Sequence, residues 1–204
     1  MQSISSTAWR ATATVSAYYA LFGAFIPWLS RWMDDVAGLS GETIGLVFTV
    51  STLARIVIGP LTSAWADGRR DRRTPIIALG VITLLSFVAL IPRGLDLKDL
   101  AFLFVTQVTV WGLIAFLEAA LFRLTGKSEG PAYGFARGLA SFAFILGNFG
   151  VGLLIDRFGP GAILAWMIAT TGIMIGCGAA MTPEPQERVA GQPFGARLAE
   201  GLSM

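Results

Sequence analysis

Residues 113–150 read LIAFLEAALFRLTGKSEGPAYGFARGLASFAFILGNFG. An apolar run carrying one acid, Glu118, gives way to a polar turn, Lys127-Ser128-Glu129-Gly130-Pro131. A second apolar run then carries one base, Arg137. Each run is long enough to cross ~30 Å of hydrocarbon as a helix of ~20 residues. An acid and a base would then sit on adjacent helices inside the bilayer, where a charge costs roughly 2.5–3.5 kcal/mol or more. Glu118 lies about five residues before its span ends and Arg137 about five after its span begins, so both sit at roughly 8 Å of depth. Matched depth is what an ion pair requires. Two readings stay open: a static clamp that fixes helix packing, or part of a functional site.

The composition agrees with a membrane setting. Of 204 residues, 54% are hydrophobic and only 14% charged, against about a quarter charged in a soluble domain. The net charge of +2 says little about nucleic acid, because the basic residues sit in short loops between apolar runs. Histidine is absent, which removes the commonest metal ligand and the usual neutral-pH proton shuttle. No metal or other cofactor is expected, and no enzyme constellation (serine with histidine, paired acids, metal ligands) is present. The single cysteine, Cys177, excludes an internal disulfide and reads as an inert buried thiol. Residues 1–11 are short and polar, and no removable signal peptide is read there.

Six apolar runs can span the bilayer, near 11–31, 43–66, 74–92, 100–123, 132–155 and 160–181. The expected fold is an all-α membrane protein of six transmembrane helices. The first span holds Pro27 and the aromatics Tyr18, Tyr19, Phe22, Phe25 and Trp28. Proline is tolerated in a membrane helix where neighbours re-satisfy the freed carbonyl, often beside a cavity. Ser40 stands where it could cap the second span. Residues 182–204 open on Thr182-Pro183-Glu184-Pro185 and read as an exposed linker and tail, with Phe194 and Leu198 on one face of a short amphipathic turn.

Loop charge orients the chain. The first loop, Asp34 to Glu42, is acidic, and Asp67-Gly68-Arg69-Arg70-Asp71-Arg72-Arg73 is strongly basic. Basic loops favour the cytoplasmic side, so that loop and both termini are expected inside, in the inner membrane. The second and fifth spans also end alike, Gly59-Pro60-Leu61 leading to Asp67-Gly68-Arg69 and Gly150-Val151-Gly152 leading to Asp156-Arg157. Each is the middle member of a three-span group, the pattern of an inverted 3+3 repeat.

A third ionisable residue, Arg55, lies about a dozen residues from either end of its span, too deep to snorkel out. It should face a polar cavity or a partner acid. Tyr19, Trp28, Gln107 and Asn148 are candidates to line such a cavity, with interhelical hydrogen bonding an open alternative for Gln107 and Asn148. Arg31, Arg93, Arg123 and Arg157 read as interfacial anchors. Gly134 and Gly138 have the small-xxx-small spacing of closely packed membrane helices and would hold Arg137 near the fourth span.

On these residues the sequence resembles the amino-terminal half of a major facilitator superfamily transporter. Asp67, with Arg69, Arg70, Arg72 and Arg73, looks like that family's gating turn between helices two and three. Gly68 stands where a basic residue is usual, and Arg70 where glycine is usual. Glu118, Tyr133-Gly134 and Arg137-Gly138 look like the proton-coupled branch containing lactose permease and the phenylpropionate permeases, as do Pro27-Trp28-Leu29-Ser30-Arg31-Trp32, Glu42-Thr43-Ile44-Gly45 and Ala54-Arg55. The resemblance implies that Arg55 and Arg137 hold a solute and that Glu118 takes a hydrogen bond or a proton. It also implies twelve crossings in a complete transporter. A second half is therefore expected, as another copy, a separate chain or the remainder of a truncated product.

Two functions follow. One is a half-unit of a proton-coupled secondary transporter for a small organic solute, an aromatic acid or a sugar-like molecule. The other is a non-transporting scaffold or assembly subunit within a larger membrane complex. The expected partners are the lipid bilayer, the solute, protons and the second half, with no nucleic acid.

Overall fold

A computed structural model describes residues 6–91, 97–125 and 131–184, and its regular elements are six helices. They are α1 (Ser6–Asp35), α2 (Gly41–Asp67), α3 (Arg73–Ala89), α4 (Leu97–Leu124), α5 (Pro131–Phe158) and α6 (Ala162–Ala180). A helix lies over each of the six expected runs, with shifted ends: α1 begins at Ser6 and runs on to Asp35, and α3 stops at Ala89. Four of them, α2, α4, α5 and α6, are long and apolar enough to cross a membrane. α3 has only 17 residues. α1 is long enough, yet it is diluted by Thr12, Thr14, Ser16, Tyr18 and Tyr19.

That dilution has a structural reason. α1 runs through the middle of the bundle and packs chiefly on α5 and α6, then on α4, so little of it faces outward. Tyr18, Leu21, Leu29, Trp32 and Met33 on it are fully buried. A helix surrounded by protein can carry small and hydroxylated side chains that a lipid-facing helix cannot, provided each polar group finds a partner. Thr12 and Thr14 donate to carbonyls one turn back, and the Tyr18 hydroxyl donates to the carbonyl of Val110 on α4 at 2.8 Å. Pro27 is accommodated without interrupting the helix. Around this axis α3 packs on α4 and α6, and α2 on α4. α2 and α5 are the outermost, with 11% and 22% of their apolar windows buried against 44% in α4 and α6.

The backbones of α1 and α5 approach closely, and the contact is reciprocal. A Cβ at Gly23 would lie 2.1 Å from the carbonyl oxygen of Phe144, and one at Gly147 would lie 2.2 Å from that of Ala20. Only glycine lets the two backbones meet so closely. The small-residue contact expected at Gly134 and Gly138 is not there: nothing lies within 4 Å of a Cβ at either. α5 packs on α1 and barely on α4, so Arg137 reaches Glu118 across a gap by the length of its side chain.

Short connections are fixed by local chemistry. The Ser40 hydroxyl accepts from the Thr43 amide at 3.3 Å and caps α2 as expected, and Gly38 turns the chain before it with φ +63°. At the end where α2, α4 and α6 finish, the first residues after α6, 182–184, are tied to the bundle through Glu184, with Pro183 exposed. Arg73 binds Asp71 at 2.7 Å and donates to the last carbonyls of α6, those of Ala179 at 3.1 Å and Met181 at 2.8 Å. A cation there complements the helix dipole and its unpaired acceptors. The Arg72 amide donates to the carbonyl of Glu184 at 3.2 Å, whose carboxylate pairs with Arg123 of α4 at 3.1 Å. Residues 185–204, with Phe194 and Leu198, lie outside the described residues, as do Arg93 and most of the 127–131 turn. Cys177 is half-buried rather than buried.

Candidate functional site

Glu118, Arg137 and Tyr19 converge from three helices. Arg137 Nη1 contacts Glu118 Oε1 directly and donates to the Tyr19 hydroxyl at 2.8 Å; that hydroxyl in turn donates to the same carboxylate oxygen at 2.7 Å. The Arg137 guanidinium also stands over the Tyr19 ring, 5.2 Å from its centre. The matched depth read from the sequence thus becomes a closed triangle, with α1 bridging two helices that hardly touch. Glu118 and Arg137 keep 30% and 37% of their side-chain surface accessible, so the pair is partly open rather than sealed.

Arg55 has a different setting. Its Nη2 donates to Thr52 Oγ1 at 2.8 Å and its guanidinium lies 4.7 Å from the centre of the Trp111 ring. Among the described residues no carboxylate is within ion-pair distance of it. A cation–π contact of ~0.5–2 kcal/mol and a hydrogen bond to a charged group of ~1.5–3 kcal/mol offset most of the cost of a membrane arginine. That explains how it persists without an acid. Its Nε is buried with no partner. Arg55 opens on a cavity of about 460 Å³ between α2 and α4, whose polar lining comes from Thr52, Thr62, Ser63 and Thr109 beside Trp111. Pro60 cannot donate to the carbonyl of Ile56, which lies in the same wall.

A chain of rings joins the two arginines. Trp111 meets Phe22 edge-on at 4.9 Å, and Phe22 meets Tyr19 edge-on at 6.3 Å. Arg55 stacks on one end of this row and Arg137 on the other, both on ring faces, where the quadrupole is negative.

The remaining candidates separate. Trp28 and Asn148 bond each other across α1 and α5, the indole donating to the Asn148 Oδ1 at 3.0 Å and to its carbonyl at 3.1 Å. Gln107 is 2% exposed with its Nε2 unpartnered. None of Tyr19, Trp28, Gln107 and Asn148 lines the α2–α4 cavity. In the basic turn Asp67, Arg69 and Arg70 are exposed, with Arg69 over the Trp65 ring at 4.4 Å, whereas Arg72 and Arg73 are tied to the segment after α6. Sequence reasoning missed Trp111 and Thr52. The i,i+3 spacing of Thr52 and Arg55 was the available signal for the second; an aromatic in an apolar run carries none for the first.

A model of the MFS_1 like family matches residues 9–191, which reaches all six helices and leaves out only the first three residues of α1. The chain belongs to that family. No curated relative and no solved structure matches it. As a major facilitator superfamily member it is an integral membrane protein of transporter type, with the bilayer as its solvent and a carried solute as its ligand. The half-exposed Glu118–Arg137–Tyr19 triangle and the Arg55 cavity are accordingly its candidate solute-handling groups.

Proposed function

We propose that this MFS_1-like chain is a half-unit of a proton-coupled secondary transporter for a small organic solute, akin to the lactose permease and phenylpropionate permease branch. The observation that carries the reading is the Glu118–Arg137–Tyr19 triangle. A carboxylate held by a guanidinium and a phenol, on three different helices and partly accessible, can exchange one partner for a proton or for a solute hydroxyl. Arg55, across the row of rings, supplies a second cation. An inverted 3+3 arrangement is supported by the packing: α1 on α5 and α6 corresponds to α4 on α2 and α3 under exchange of the two triplets. The sparsely buried outer faces of α2 and α5 support a covering second half, from a second copy or another chain. Both termini are assigned to the cytoplasm and the whole chain to the inner membrane. We likewise assign the bundle to residues 1–181 and a tail to 182–204.

The test is solute-driven proton movement in liposomes holding the purified chain and a pH-sensitive dye inside. Organic acids and sugars added outside should acidify the lumen with the wild type. Glu118→Gln should abolish acidification while leaving solute binding measurable. Solute uptake with no proton movement in the wild type overturns the coupling, and uptake by neither form overturns transport by this chain paired with its own copy.

A further inference from the structure

We infer that the α2–α4 cavity is an anion site in its own right: Arg55, stacked on Trp111, takes the carboxylate of a small organic monoanion, and the Glu118–Arg137 pair does not. This rests on the transporter reading only for the identity of the ligand as cargo; the site itself stands on geometry. The two arginines differ in charge state as the solute would meet them. Arg137 is already neutralised by Glu118, so the triangle presents no net charge to a ligand. Arg55 has no described carboxylate near it and faces open volume, so its positive charge is uncompensated.

The donors point the same way. Arg55 Nε is buried and out of reach, which leaves the terminal nitrogens to meet a ligand. Thr52 accepts from Nη2, so its own hydroxyl proton is free to donate. A guanidinium N–H beside a hydroxyl O–H matches two oxygens of one carboxylate. Of the other hydroxyls, Thr62 donates to the carbonyl of Ile58, Thr109 accepts from Thr83 and donates to its own helix, and Ser63 is exposed in the wall. The rest of the wall is apolar, with Ile56, Leu79 and Phe116. About 460 Å³ is within the range that holds a small ligand. A charged head and a compact apolar body therefore fit better than a polyol, whose many hydroxyls would find few partners here.

The probe pair is benzoate and its uncharged isostere benzamide, measured by equilibrium dialysis against the full chain in nanodiscs, with empty nanodiscs subtracted. The wild type should bind benzoate saturably and at least roughly tenfold more tightly than benzamide. Arg55→Gln should abolish that preference, and Arg55→Lys should keep part of it, because charge remains without the planar fork. Glu118→Gln with Arg137→Gln should leave it within about threefold. No saturable benzoate binding, equal binding of the two probes by the wild type, survival of the preference in Arg55→Gln, or its loss in the double variant would each overturn the inference. The comparison of probes on the wild type needs no variant to fold. If benzoate preference depends on Arg55 while no solute moves in liposomes, the transport reading falls and the anion site stands. If solute and protons move but the preference ignores Arg55, only this inference falls.

Discussion

Gly147 lies directly on the backbone of Ala20: a Cβ there would come within 2.2 Å of the Ala20 carbonyl oxygen, and Gly23 stands in the same relation to Phe144. Backbone cannot move aside as a flexible side chain can. Gly147→Ala should therefore separate α1 from α5 and lower stability by at least the ~1–3 kcal/mol typical of overpacking. Gly138→Ala, in open space on the same helix, should be neutral or stabilising by ~0.5–1 kcal/mol through helix propensity. Unfolding of the two variants in detergent checks this, and equal effects would contradict the geometry.

Breaking the Glu118–Arg137 pair from one side should harm the protein. A fully buried pair loses ~3–5 kcal/mol when one partner is removed; partial accessibility lowers that here to the order of 1–3 kcal/mol. Glu118→Gln and Arg137→Gln should each reduce membrane yield, and the double variant should recover it. Solute uptake should stay lost in the double variant. Recovery of uptake together with yield would reduce the triangle to a packing clamp.

Asp71 is the group to follow in acid. Its partial burial pushes the carboxyl up, but the Arg73 side chain and amide outweigh this and hold it below the usual carboxylate range. A depressed folded pKa means the unfolded chain binds the proton more readily. The contribution is then present above the unfolded value of about 3.9 and is lost as pH falls through the folded one. Asp71→Asn should flatten the acid limb of the stability profile between about pH 2 and 5. An unchanged profile would show that Arg73 is held by the α6 carbonyls alone.

Orientation can be read by labelling. With Cys177 replaced by serine, a membrane-impermeant thiol reagent should reach a cysteine at Asp34 from outside and miss one at Arg70. Both positions are exposed and neither is needed for a turn. The reverse pattern would invert the assigned topology.

The helices were legible because hydrocarbon thickness imposes a length on every apolar run, and the ends drifted because frayed turns carry no such constraint. The meeting of Glu118 and Arg137 followed from depth alone. Its third member, Tyr19, was legible only as a cavity candidate, since depth does not give rotation about a helix axis. The same blindness misplaced the tight contact: Gly134 and Gly138 have the right spacing but face open space, while Gly23 and Gly147 sit on facing surfaces. Trp111 was invisible because its role lies in what stacks on it. Glu184 was read as linker because prolines on either side suggest exposure, and its pairing with Arg123 is set by where α4 and α6 finish.

The central position of α1 has a consequence for how the protein is made. α1 is made before its principal neighbours, α5 and α6, which follow it across α2, α3 and α4. At ~5–20 residues per second, α6 follows roughly 7–30 s later. Until α5 follows, the least apolar helix of the set lacks the partner for its Gly23 face, although α4 can already receive Tyr18 and Tyr19. The order of synthesis thus leaves α1 without its main packing partners until α6 has been made, and a defect in α6 should be felt first as loss of α1.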